Sequence, residues 1–307
     1  MEYCGLPAKG SGVTAFIAFI RLSRLKFLLG GLLGVALGAA MAYHRWHILN
    51  WGIVAWAQLS VTAFQLMTHY SNDYFDRDTD AISTRTPFSG GSGVFARNEL
   101  APRVAIFAAL ACAAIGLVPA TLFLMHGNVL AGGLGVAIMI LAWDYSAPPV
   151  HLHSRGVGEV TTALVVAVLV PLFAYAALMH AVDPLAVLST LPAASAMFVM
   201  MLCVEIPDLA VDSATGKRNL LVRLGRQSAP TLVSGATTAI ALSAFLAIRA
   251  GAPRGLLGVA LLAMLLCTWL RVRLNRDEQP ADAWIARTGV IIFLVTLAAS
   301  VAAYLVP

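Results

Sequence analysis

The chain has 307 residues, 60% of them hydrophobic and only 11% charged, with a mean hydropathy of +0.83, whereas a soluble domain carries roughly 25% charged residues. That excludes an ordinary water-soluble fold. The net charge of +5 and the pI near 9.2 come without a basic stripe interleaved with aromatics or a nucleic-acid module, so nucleic acid is excluded as a partner and the lipid bilayer takes its place.

A helix needs about 20 apolar residues to cross the hydrocarbon core. In chain order, runs of that size lie near 25–43, 48–70, 103–125, 128–146, 159–180, 184–206, 229–249, 254–272 and 284–306. They are too long and too evenly apolar for the ~10-residue alternation of a membrane barrel. The expectation is an all-α, polytopic membrane protein of about nine transmembrane helices, forming one integral membrane domain over residues 1–307. The N-terminal lead contains Glu2 and meets no small-residue cleavage site, so it reads as a retained anchor. Cys4, Cys112, Cys203 and Cys267 lack CxxC spacing, and neither a disulfide framework nor a zinc site is implied.

The connectors after the second and sixth runs are long and hold most of the carboxylates. Assigning the 20 Lys and Arg to alternate faces leaves only Arg45, Arg249 and Arg254 opposite the rest. By the positive-inside rule, the N-terminus and both long connectors are cytoplasmic, and a bacterial inner membrane is the expected location. The two connectors also form a weak internal repeat, each placing an acidic cluster at the end of an apolar helix: NDYFDRDTD from Asn72 to Asp80, and EIPDLAVD from Glu205 to Asp212.

In the first cluster Asp73, Asp76 and Asp80 are spaced i, i+3 and i+7, so a continuing helix stacks them on one face. Repulsion among them favours a hard cation such as Mg²⁺, with Asn72 as a neutral ligand and substrate phosphate oxygens completing the shell. A solvated acidic loop is the bland alternative. In the second, Asp208 and Asp212 are i, i+4 and lead directly into Lys217, Arg218, Arg223 and Arg226. Carboxylates for metal beside cations for non-bridging oxygens are what a leaving diphosphate requires. Glu205 and Asp208 flank Pro207, which frees backbone at that helix end. Asp144 and Tyr145 close the fourth run ahead of APPVHLHSRGVGE, where His151, His153, Arg155 and Glu159 cluster; histidines at i, i+2 do not share a helical face, which favours oxygen contacts over metal. The loop RTPFSGGSGVF lacks GK[ST]; it forms either an anion nest at Gly90, Gly91 and Gly93 beside Arg85 or a flexible loop.

These residues resemble the UbiA superfamily of intramembrane prenyltransferases across essentially the whole chain. Asn72, Asp73, Asp76 and Asp80 fit its NDxxDxxxD signature, and Asp208, Asp212, Lys217 and Arg218 its second, DxxxD with a basic tail. SGGSGVF and YSAPPVHLHSRGVGE look most like the branch that prenylates 1,4-dihydroxy-2-naphthoate for menaquinone. The resemblance implies a helical bundle around a chamber open to lipid, with both motifs binding Mg²⁺ and the diphosphate of a polyprenyl donor. Arg24 resembles a basic residue that touches the diphosphate. Two positions depart from the family's usual residues, Glu205 where Asn is frequent and His153 where the naphthoate branch often has Lys; with Tyr145 and Arg155 they are the substrate-binding candidates. An allylic cation would be stabilised by faces such as Tyr74, Phe75 or Tyr145 and attacked by a small aromatic acceptor. Two further functions fit the composition: a membrane terpene cyclase needing no acceptor, or an ion-coupled transporter or lipid carrier, against which stands the placement of the acids at one face.

Overall fold

Polar residues at the edges of the apolar runs fix where helices start. Asn50 accepts from Gly52 N and Ile53 N at 2.9 and 3.2 Å, Asn128 from Ala131 N at 3.1 Å, and Asp183 from Ala186 N at 2.8 Å, each satisfying amides that the first turn leaves free. The computed structural model describes residues 12–82, 87–88, 90–276 and 281–306; Cys4 and Arg85 lie outside them. The helices are α1 (Gly12–Ser23), α2 (Leu28–Trp46), α3 (Trp51–Phe75), α4 (Arg77–Asp80), α5 (Pro102–Met125), α6 (Val129–Asp144), α7 (Gly158–Leu164), α8 (Val170–Met179), α9 (Pro184–Glu205), α10 (Leu209–Ala214), α11 (Leu220–Leu224), α12 (Ala229–Arg249), α13 (Gly255–Leu274) and α14 (Asp282–Leu305). No strand occurs among the described residues. A π-helical turn, Val165–Leu169, joins α7 to α8.

Seven helical segments are long and apolar enough to cross a membrane, judged by length and composition. Two further helices fall on expected runs: α3, with 25 residues, and α6, an apolar helix of 16. The first run starts where expected, a 3₁₀ turn from Leu25 leading into α2 at Leu28, but an additional helix, α1, precedes it. The two are set apart by a break at Arg24, whose backbone is left-handed at φ 47° and ψ 47°. That conformation costs an L-residue about 1 kcal/mol, and it turns the chain so that the guanidinium pairs with Asp73.

α9 forms the centre of the larger core, packing on α12 and α14, while α3 packs on α5 and α2 on α8. Small residues let these helices approach closely. A side chain at Gly38 would meet the Pro171 carbonyl, one at Gly116 the Phe64 ring, and one at Gly289 the Cys203 side chain. Large apolar side chains such as Phe107 on α5 and Leu265 on α13 face outward, as a lipid-facing surface requires.

Candidate active site

α3 and α9 end in the same way, and that shared ending builds the site. Asp76 terminates α3 at φ −93°, ψ 2°, and Asp208 ends a 3₁₀ turn after α9 at φ −95°, ψ −4°. Both lie in the sparsely populated bridge region. Each break is followed by a short helix, α4 or α10, that carries the next carboxylate of its motif, Asp80 or Asp212.

Asp76, Asp80, Asp208 and Asp212 line the mouth of one cavity of about 600 Å³, together with Arg24, Lys26, Asn72, Tyr145, His153, Glu205, Lys217 and Asn219. Below them the walls are apolar, with Leu29, Val61, Phe64, Ile138, Val166, Met200 and Phe293. Lys217 spans the two motifs, its Nζ 3.3 Å from Asp76 Oδ2 and 3.8 Å from Asp212 Oδ1. Asp76 Oδ1 faces His153 Nε2 at 3.1 Å and Oδ2 accepts from Asn72 Nδ2 at 2.6 Å. Burial raises the Asp76 pKa, but the His153 hydrogen bond and the charges of His153 and Lys217 outweigh it and hold the carboxyl at about 2. Burial likewise lowers Lys217, yet Asp76, Asp212 and Asp80 overcome it and raise its pKa above the ordinary lysine value.

Supporting groups fix these side chains. His153 sits in the 3₁₀ turn Leu152–Arg155, its Nδ1 donating to the Tyr145 carbonyl at 2.6 Å, while Asn72 also donates to Ser146 Oγ at 3.1 Å. Asn219 donates to Asp212 Oδ2 at 2.9 Å and caps α11 through Val222 N. That residue was missed from the sequence, although an Asn just before the apolar stretch LLVRL is a capping signal. The Gly-rich loop serves the first motif: Ser92 N donates to Asp73 Oδ2 at 3.2 Å, and Gly91, at φ +67°, leaves room for the Asp80 carboxylate that a Cβ would overlap.

The expected residues divide into two groups. Asp73 is 2% exposed and lies outside the cavity lining, held by Arg24 and Ser92 N. Arg155 is exposed and donates to the Pro149 carbonyl at 2.9 Å; Arg218 is also exposed, its backbone N bonded to the Ser154 carbonyl. Tyr74 and Phe75, expected to face the chamber, do not line it, because two residues and one residue before the cavity-lining Asp76 they point to other faces of the helix. Phe27, Phe64, Phe88, Phe293 and Tyr145 are the aromatic walls instead. The carboxyl groups of Glu159 and Glu205 face each other, and Oε2 of each is buried with no N–H or O–H donor among the described residues. Asp208 Oδ1 is likewise buried without a donor. No cluster of three His, Cys, Asp or Glu in metal-ligating arrangement occurs among the described residues.

Solved structures share this fold. A UbiA homologue from Archaeoglobus fulgidus bound to DMAPP and Mg²⁺ aligns with a TM-score of 0.68 at 19% identity, over 94% of this chain and 99% of that one. A digeranylgeranylglyceryl phosphate synthase aligns at 0.65 and 17% over 94% and 98%, and an apo UbiA homologue from Aeropyrum pernix K1 at 0.68 and 16% over 91% and 97%. No curated protein matches the sequence. The UbiA prenyltransferase family matches residues 28–297, and the chain belongs to that family.

Proposed function

We propose that this prenyltransferase moves a polyprenyl group from its diphosphate to a small aromatic acceptor, 1,4-dihydroxy-2-naphthoate or a related phenol or quinol, at the cytoplasmic mouth of the chamber. The observation that carries it is Lys217 bridging Asp76 and Asp212 directly above an apolar cavity. A prenyl diphosphate has the same division, a multiply charged head on a hydrocarbon tail. The Archaeoglobus homologues bound to DMAPP or GPP with Mg²⁺ support that donor class. The bias of Lys and Arg to one face supports a cytoplasmic mouth.

Asn72, Asp76, Asp80, Asp208 and Asp212 are the groups that fit Mg²⁺, since they offer hard oxygens around the mouth of one cavity and Asp208 Oδ1 has no protein donor to displace. When bound, Mg²⁺ neutralises the charge that builds on the diphosphate oxygens as the donor ionises. Lys217 and Arg24 hold the non-bridging oxygens, and Asp73 acts through Arg24 by fixing its position. Tyr145, Phe27 and Phe88 turn aromatic surface toward positive charge on the allylic carbon. The apolar walls exclude water, so an electron-rich ring rather than water meets that carbon.

The test is product mass analysis of purified protein in detergent given geranylgeranyl diphosphate and Mg²⁺, with and without 1,4-dihydroxy-2-naphthoate. A prenylated naphthoquinol or quinone that needs the acceptor supports the proposal. A hydrocarbon or prenyl alcohol released without it favours the cyclase.

A further inference from the structure

Two polar side chains in the chamber are left over from the diphosphate site, and both are built to point an acceptor atom inward. His69 and Gln65 line the cavity from one face of α3, one turn apart. His69 Nδ1 lies 2.9 Å from the Ser23 carbonyl oxygen. A carbonyl only accepts, so Nδ1 carries the hydrogen, and in the neutral ring Nε2 then presents its lone pair; Nε2 has no partner among the described residues. Gln65 Nε2 donates to the Phe27 carbonyl at 3.3 Å, and its Oε1 is buried with no donor. Thr68, between them, is committed to the Phe64 carbonyl at 2.8 Å.

Both anchors, Ser23 and Phe27, belong to the turn that Arg24 creates between α1 and α2, so this patch exists only because the first segment breaks there. Gly31 is part of the same arrangement, since a Cβ there would overlap the Gln65 carboxamide. Phe27 stands edge-on to the His69 ring at 5.9 Å and to Phe88 at 6.1 Å, which gives the patch aromatic walls. A buried acceptor atom without a donor is destabilising, and a ligand that donates a hydrogen bond relieves it.

Depth decides which part of the substrate pair meets His69. It lies seven residues before Asp76 on the same helical face, roughly 10 Å further into the membrane. With the diphosphate at Asp76, that is the level of the donor's first carbons and of the ring that attacks them. Glu205, one turn below Asp208 on the facing wall, is the rival group, but its carboxyl is turned to Glu159.

We infer that His69 Nε2 holds the hydroxyl of the aromatic acceptor and receives its proton during transfer, an assignment that rests on the acceptor proposed above. As the ring carbon bonds to the allylic carbon, the C–O bond to the diphosphate breaks with its electron pair on the leaving diphosphate. The hydroxyl proton passes to Nε2, leaving a ring ketone. Loss of the ring C–H proton to the departing diphosphate, with return of the imidazolium proton to oxygen, then restores the aromatic hydroxyl.

The experiment compares 1,4-dihydroxy-2-naphthoate with its two monomethyl ethers as acceptors, using geranylgeranyl diphosphate and Mg²⁺, in wild type, His69→Asn and Glu205→Gln. An Asn amide keeps the donation to Ser23 and removes Nε2. Wild type should prefer the free hydroxyl at one ring position by about tenfold or more in kcat/KM, the effect of one hydrogen bond of ~1.4 kcal/mol. His69→Asn should bring that preference to within about twofold, with the donor KM unchanged. A wild type that uses both ethers as well as the parent overturns the assignment without any variant, as does a preference that survives in His69→Asn or disappears only in Glu205→Gln. Wild type that prenylates none of the rings overturns the acceptor proposal as well.

Discussion

The two acidic motifs end their helices with nearly the same backbone angles at Asp76 and Asp208, yet the protein holds them differently. The first is saturated: Asp76 has Asn72, His153 and Lys217, and Asp73 has Arg24 and Ser92 N. The second has fewer donors: Asp212 is held by Asn219 and by Lys217 at 3.8 Å, and Asp208 by the Gly90 backbone alone, its Oδ1 held by none. Like charges gathered at a membrane surface repel. One motif meets that repulsion with resident cations and so is set in place beforehand. The other leaves positive charge to be supplied with the substrate.

The sharpest way to break this comparison is to neutralise one carboxylate in each motif. Asp76→Asn and Asp208→Asn should each reduce turnover by at least about 100-fold, measured as prenylated product. Their stabilities should diverge. Asp76→Asn strands His153 and Lys217 and should cost about 2–4 kcal/mol in the metal-free protein, whereas Asp208→Asn, which breaks no protein contact at Oδ1, should melt within a degree or two of wild type. Equal losses of stability would erase the distinction. Chelation with EDTA should bring wild-type turnover to background, and readdition of Mg²⁺ with a prenyl diphosphate should raise the melting temperature of wild type but not of Asp208→Asn.

A smaller effect concerns acid. The Asp76 carboxyl titrates at about 2 in the folded protein against 3.8 ordinarily. Its folded pKa is depressed, so its contribution, about 2 kcal/mol, is complete above pH 3.8 and is lost as pH falls through about 2. Melting temperatures of wild type should therefore fall toward those of Asp76→Asn between pH 4 and pH 2; parallel curves would remove Asp76 from that role. The smallest effect is expected at Asn219→Ala, which removes the Asp212 bond and the α11 cap: about 1 kcal/mol of stability and a several-fold rise in donor KM.

Much of this was legible in the residues. The run 229–249 coincides with α12, because an apolar stretch flanked by Arg226 and Arg249 leaves a membrane helix little freedom in its ends. Both acidic motifs were found from carboxylate spacing, since acids three or four positions apart fall on one helical face whatever the surroundings. Asp73 shows the limit of spacing: it shares that face and still lies outside the cavity, because a break at Arg24 some 50 positions earlier delivers a guanidinium to it. His69 left no signal, as one histidine in an apolar helix has no periodicity to betray it. The Gly-rich loop was open between a nest and a flexible loop, and only packing shows its Ser92 amide serving Asp73.

By itself the sequence determined the class of molecule and the composition of its mouth, because hydrophobic length and carboxylate spacing are local properties that every membrane environment reads alike. The tertiary structure alone decided the pairing of the two motifs through Lys217, the depth of the apolar chamber and the inward aim of His69 and Gln65. Each of these depends on contacts between helices distant in the chain, where small residues set how closely backbones approach and where a single left-handed residue redirects a whole segment.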